Sequence, residues 1–243
     1  MKTRAVIDLL VESLRTGQSV DVSELADRMI SAQDFANLVS GRSVVPRDEI
    51  HPRGLRVKGL HITGDIDWTH DRWSAVHLEE AKFDGPIWAE GLRIDGEFSI
   101  TNSQLFGVDF FNARIDGDFS LSGCQIGQPA SPESEEVEQP AAGADFRSMS
   151  INGFAHFSGV KAHAFVNLSV IRVAFGVNAY QIFAHGLSLE DATVDGWIRM
   201  NAATLDNPQG YALNVANLTA KSDVSLSHLT ATGTVSFGGS TIK

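Results

Sequence analysis

Residues Leu92–Ile100 read LRIDGEFSI, and residues Ala113–Leu121, 21 positions further on, read ARIDGDFSL. Nearly every position matches in character. The same texture returns as LHITGDIDW at Leu60–Trp68, MSINGFAHF at Met149–Phe157 and ATVDGWIRM at Ala192–Met200. Self-similarity at a fixed period marks a solenoid, whose repeats bury their apolar faces only by stacking on one another.

The finer spacing indicates which kind of solenoid. Large apolar residues fall at Ile94, Ile100, Leu105, Phe110, Ile115, Leu121 and Ile126, in steps of 6, 5, 5, 5, 6 and 5. Ile62, Trp68, Trp73, Leu78 and Phe83 repeat the 6, 5, 5, 5 series. Four inward residues per 21-residue coil describe a four-sided tube with one central core residue on each side. Small residues two positions earlier (Ala81, Ala113, Ala144, Ala192, Ala203, Ala216) are expected to let neighbouring corners pack closely.

The triplets Ala81-Lys-Phe83, Ala113-Arg-Ile115, Ala144-Asp-Phe146, Ala203-Thr-Leu205 and Ala216-Asn-Leu218 resemble the core of pentapeptide-repeat proteins. The resemblance covers residues from about 55 to 243. It implies an all-β solenoid, a right-handed quadrilateral parallel β-helix. The extra residue per coil and the Gly before an alternating apolar segment depart from that family's unit. The Ile-x-Gly texture is also similar to bactofilin-type polymer-forming solenoids.

Residues 1–50 read as a helical N-terminal cap and 51–243 as the β-helix. Val6, Leu9, Leu10 and Leu14 recur at helical spacing, Asp21–Glu24 looks like a capping box for a short helix through Ala26 and Met29, and Ser31 can start another through Phe35 and Leu38. The prolines Pro46 and Pro52 mark the boundary. The stretch 127–143 is acidic, proline-rich and aperiodic, and is expected to be a disordered loop. Removing about fifteen residues there restores the 21-residue offset between Gly117 and Gly153. A shorter bulge is expected near Asp206–Gly210. About eight coils then remain, a tube of roughly 40 Å at strand spacing.

The net charge is −11, which excludes binding nucleic acid directly through phosphate neutralisation; it leaves a basic protein partner, or a protein that normally binds DNA, open beside the plain reading that many soluble proteins are acidic. The single cysteine, Cys124, reads as buried filler and gives no sign of an oxidising compartment. The first twelve residues carry Asp8 and Glu12 within their apolar run, the pattern of an amphipathic helix rather than a signal peptide. No apolar run approaches the roughly 20 residues of a membrane span, and a cytoplasmic location is expected.

Among candidate sites, Asp95 and Glu97 should stack beneath Asp116 and Asp118, with Asp65 and Asp67 at the matching positions of an earlier copy. Like charges at strand spacing are mildly destabilising. The two readings are an acidic stripe that binds a basic surface and simple corner chemistry, since Asp-Gly favours tight turns. The run 165–183 carries more apolar residues than four inward positions can hold. Phe165, Ile171, Phe175, Tyr180 and Phe183 are therefore candidates for an apolar interface, against a second inward layer.

The eight histidines show no metal-binding spacing, and neither a metal nor any other cofactor is expected. Carboxylates that belong to the repeat itself point away from a catalytic centre, so the chain reads as a non-catalytic interaction or scaffold protein. Resemblance implies a sharper version, DNA mimicry toward an enzyme such as a type II topoisomerase. The alternatives are a bactofilin-like self-assembling protein and, less favoured, a polysaccharide-acting β-helix enzyme. The repeat pattern continues to Lys243, so pairing of two C-terminal coils into a homodimer is expected.

Overall fold

Backbone hydrogen bonds between successive turns of the chain organise this protein, and every strand pair between turns is parallel. The structure, a computed structural model, describes residues 3–127 and 143–243. It is an all-β parallel solenoid of about eight turns, with two α-helices among the described residues. Arg72, Arg93 and Arg114 pair in register at an offset of 21, and later coils step by 21 or 22. Ile115 pairs with Ile151, 36 positions on. Subtracting the 15 residues 128–142, which lie outside the described residues, leaves 21. The step from Thr193 to Thr219 is 26 because residues 206–211 bulge out of one long strand, where the register shifts.

Strands form two 15-stranded sheets, each containing two columns. In the first sheet the columns are fused through the long strands Arg72–Glu79 and Arg93–Thr101, then separate into Arg114–Ile115 and Phe119–Ser120 and their successors. The second sheet is divided early and fuses late, at Thr204–Asn214. Gly117 stacks directly on Gly96 in the first sheet. A Cβ on Gly117 would stand 2.8 Å from the Gly96 carbonyl carbon, so only glycine permits that approach.

The inward residues expected from the 6, 5, 5, 5 series are all buried, from Ile62 and Trp68 through Ile94, Phe110, Ile115 and Ile126. The core holds more than four residues per coil, however. Phe98 and Val108 are buried beside Ile94, Ile100, Leu105 and Phe110. The position expected to be small alternates in size, since register stacks Leu92, Ala113, Met149, Ile171, Ala192 and Leu218 in one line. Leu218 therefore takes the place of Ala113, and Ala216 falls on a corner instead. Phe98, Phe110, Phe119, Phe146 and Phe157 form a continuous aromatic ladder with centroids 5.3–6.0 Å apart.

Corners are built by side chains that accept from the chain two residues on. Asp67, Asp109, Asp145, Asn167 and Asn214 accept from the N–H groups of Thr69, Phe111, Arg147, Ser169 and Ala216. Three positions after four of these acceptors, His70, Asn112, Ser148 and Asn217 adopt left-handed backbone conformations. Val170 follows Asn167 in the same way at φ 61°, although its β-branched side chain suits that region poorly.

At the N-terminus, α1 (Thr3–Thr16) buries Val6, Leu10 and Leu14 against the first strands, and α2 (Ala32–Val39) buries Phe35, Leu38 and Val39. Ser31 caps α2, its Oγ accepting from the Asp34 N–H. The short helix expected from Asp21 does not form. Asp21 accepts from Ser23 in a turn, the Val22 N–H donates to Lys58, and Met29–Ser31 becomes a strand paired with His61–Thr63. Residues 1–50 are thus partly woven into the first coil, and one core runs from α1 through the solenoid. Phe35 seals the junction, its ring 5.7 Å from both Trp68 and Trp73.

Two stability predictions follow from this packing. Phe35→Ala should cost about 3–5 kcal/mol, the usual range for emptying a buried aromatic site, measured by denaturant unfolding. Val170→Asn should raise stability by about 1 kcal/mol, because asparagine tolerates the left-handed region; an unchanged or lower urea midpoint would count against strain at this corner.

Candidate interaction surfaces

The expected acidic ladder divides between the two sheets. Asp95 does lie in register with Asp116, and Glu97 with Asp118. Asp65 and Asp67 instead lie on the second sheet, where Asp67 pairs in register with Trp88. The cause is arithmetic: Leu60 and Leu92 are 32 residues apart, one coil and a half, and the alternating pattern recurs each half coil. Asp67 serves a corner turn, and its hydrogen bonds from Thr69 hold its carboxyl below the usual range. Asp65 is exposed.

On the first sheet the acids are matched by cations and donors. Asp95 receives Arg72 through Nε at 3.1 Å and is also paired with Arg47 from the N-terminal segment. Partial burial alone would raise its carboxyl, but the hydrogen bonds and charges of Arg72 and Arg47 outweigh this and lower it. Asp116 accepts from Arg114 Nε at 3.0 Å and from Asn152 at 3.1 Å. Asp118 accepts from the Phe154 backbone N–H at 2.7 Å, binding one coil to the next. Later in the same column Lys221 pairs with Asp195 at 2.8 Å. The sequence motif carries arginine two positions before each of Asp95 and Asp116, which was the available sign of a mixed-charge band.

Glu97 lies 3.1 Å from His77 Nε2. Burial, reinforced by the nearby Arg56 charge, depresses His77 to about 4 despite that carboxylate. The imidazole is therefore neutral at pH 7 and stands beside the Glu97 carboxylate. Cys124 is buried, donates to the Ile100 carbonyl at 3.2 Å, and is pushed up to about 11 by burial. Its thiol is inert at neutral pH.

The apolar candidates do not form one patch. Ile171 is fully buried, a member of the second inward layer that the extra core positions accommodate. Phe165 and Phe183 are half-buried on the second sheet, while Phe175 and Tyr180 are exposed at opposite ends of the strand Gly176–Asn178. Winding distributes a run of sequence around the coil, so residues close in sequence face different ways. Residues one coil apart, by contrast, stand side by side. Phe154, Phe175 and Trp197, spaced by 21 and 22 residues, gather outside the first sheet. The Phe154 ring lies 5.3 Å from Phe175 and 5.7 Å from Trp197, and the Arg199 guanidinium covers Trp197 at 4.4 Å.

The last coil exposes residues that stand in line with the core. Ile242 pairs with Ala220, and Val235 with Leu213; both partners are buried, whereas Ile242 and Val235 are 52% and 41% exposed. Phe237 is exposed beside them, and Val224, Leu226, Leu229 and Ala231 are only partly covered. Among the described residues, the strands of this coil are hydrogen-bonded to a neighbour on one side only.

Among the described residues, no group of three or more His, Cys, Asp or Glu side chains gathers where it could hold a metal ion. No described helix is long and apolar enough to cross a membrane. No protein-family model, curated protein or solved structure matches this chain.

The half-buried neutral imidazole sets a pH response. His77 is depressed to about 4 when folded, against 6.5 as its ordinary value, so the unfolded chain binds the extra proton between those limits. Stability should fall as pH drops from about 6.5 to about 4, and His77→Gln should flatten that part of the profile. Equal slopes in denaturant titrations of the two proteins would refute the assignment.

Proposed function

We propose that this chain is a non-catalytic interaction or scaffold protein that associates with a second copy through its last coil. The observation that supports this best is the exposed line of Val235, Phe237 and Ile242 continuing the buried core columns, beside strands whose outer edges have no partner among the described residues. Open parallel edges above an apolar core favour pairing with another chain. At the opposite end, α1 and α2 cover the first coil, which favours a closed pair over an open filament of bactofilin type. A cytoplasmic location forms part of the proposal, consistent with a chain whose single cysteine, Cys124, is buried.

A pentapeptide-repeat relationship remains a proposal, carried by triplets such as Ala81-Lys-Phe83 and Ala203-Thr-Leu205, whose last residues are buried strand residues. DNA mimicry toward a type II topoisomerase has less support. Arginine or lysine pairs with Asp95, Asp116 and Asp195, so the first sheet offers a mixed-charge band in place of an uninterrupted row of carboxylates.

Light scattering coupled to size exclusion tests the association. The unaltered chain should run at twice its chain mass, and Phe237→Asp with Ile242→Lys should return it to the single mass with its circular dichroism unchanged. A single mass for the unaltered chain at every concentration would remove the proposal, and mass growing without limit would replace the pair by a filament.

A further inference from the structure

On the outer face of the first sheet, three arginines stack at successive coils. Arg72, Arg93 and Arg114 are direct register partners, so their side chains leave the sheet at strand spacing, roughly 4.8 Å apart. With Asp95 and Asp116 they line a surface hollow of about 190 Å³. Arg47 reaches the same place from the N-terminal segment, donating to Asp95. Four guanidinium groups thus meet two carboxylates in a chain whose net charge is −11.

The surplus has a definite position. Asp95, on the same strand as Arg93, turns to the preceding coil and is held there by Arg72 and Arg47. Asp116, one coil further on, turns along its own strand to Arg114 and also accepts from Asn152. Each carboxylate that could have met Arg93 is committed elsewhere. Arg93 has no ion-pair partner among the described residues, although it is exposed and lies between two other guanidiniums.

We propose that this row is an oxyanion site centred on Arg93, and that it takes a dianionic phosphate group. A guanidinium offers a planar fork of donors suited to phosphate or carboxylate oxygens. A planar carboxylate presents only two oxygens, and Asp95 spends them on Arg72 and Arg47 here. A tetrahedral phosphate has further oxygens, which can reach Arg114 on the next coil while Arg93 holds the first pair. The hollow supplies the space, and the surplus of guanidinium groups supplies the charge. The site is distinct from the exposed last coil and does not depend on self-association.

The test follows arginine Nε–Hε resonances of the full chain during titration with inorganic phosphate, and separately with phenyl phosphate, at constant ionic strength set by sodium chloride. Arg172 occupies the same strand position two coils beyond Arg114, with Ser150 and Thr193 as register neighbours, and serves as the internal control. Saturable shifts at Arg93 and Arg114 with none at Arg172 are expected. Response to phenyl phosphate as well as to free phosphate would identify a site open to phosphate esters; response to free phosphate alone would confine it to the inorganic ion. Arg93→Gln should abolish saturation and Arg172→Gln should leave it intact, each with an unchanged thermal melt. Arg93→Lys, which keeps the charge and loses the fork, should weaken binding and stands in if the glutamine variant fails to fold. Linear shifts shared by Arg172, binding retained in both Arg93 variants, or equal saturation by acetate would overturn the assignment.

Discussion

Everything in this structure depends on the register of parallel hydrogen bonds between one coil and the next. A strand of two residues has no stability of its own, and most strands here are two or three residues long. Each becomes stable because its N–H and C=O groups meet those of the coils before and after it. Coil length is therefore nearly constant at 21 or 22 residues, and any excess must leave the stack. The five-residue excess at 206–211 does so as a bulge, and the residues 128–142 interrupt the sequence without changing the register on either side. Left-handed corner residues meet the same requirement, since the chain must turn sharply within a few residues and still return in phase.

Register also decides what the outer surface can be. Parallel in-phase strands place chemically similar residues directly above one another, which would accumulate repulsion if the motif carried one sign of charge. The motif avoids this with an arginine and an aspartate on the same strand, and the pairs connect differently from coil to coil. Asp95 reaches down to Arg72, whereas Asp116 reaches across to Arg114. Individually such exposed pairs contribute only about 0–1 kcal/mol, so their consequence lies more in how the surface potential is distributed than in stability. The row is left with one unmatched guanidinium in a strongly acidic chain.

The two ends of the stack meet the same physical problem in different ways. At the N-terminal end, Phe35 from α2 packs on Trp68 and Trp73, and Met29–Ser31 supplies a strand to the second sheet, so both the apolar floor and a strand edge are covered. At the last coil, no helix or strand among the described residues covers Val235, Phe237 and Ile242. Core residues that are buried in every interior coil become surface there because burial in a solenoid comes from the adjacent coil.

The sequence by itself determined the period, the inward residues and the solenoid class. Ile94 to Ile126 and Ile62 to Phe83 are buried as their spacing requires, because apolar periodicity is written directly in the chain. Ser31 as the cap of α2 was legible for the same reason, being a local signal. Three features were decided only in three dimensions. Asp21–Met29 carries a helix-start pattern but forms a turn at Ser23–Glu24 between two short strands, since pairing with the first coil satisfies their backbone better than a short isolated helix would. Asp65 and Asp67 share a motif with Asp95 and Glu97 yet lie on the other sheet, because half a coil and a whole coil look alike in one dimension. The partners of Asp95, Asp116 and Arg93 depend on which way each side chain turns between coils, and that choice is made by neighbours distant in sequence, such as Arg47 and Asn152.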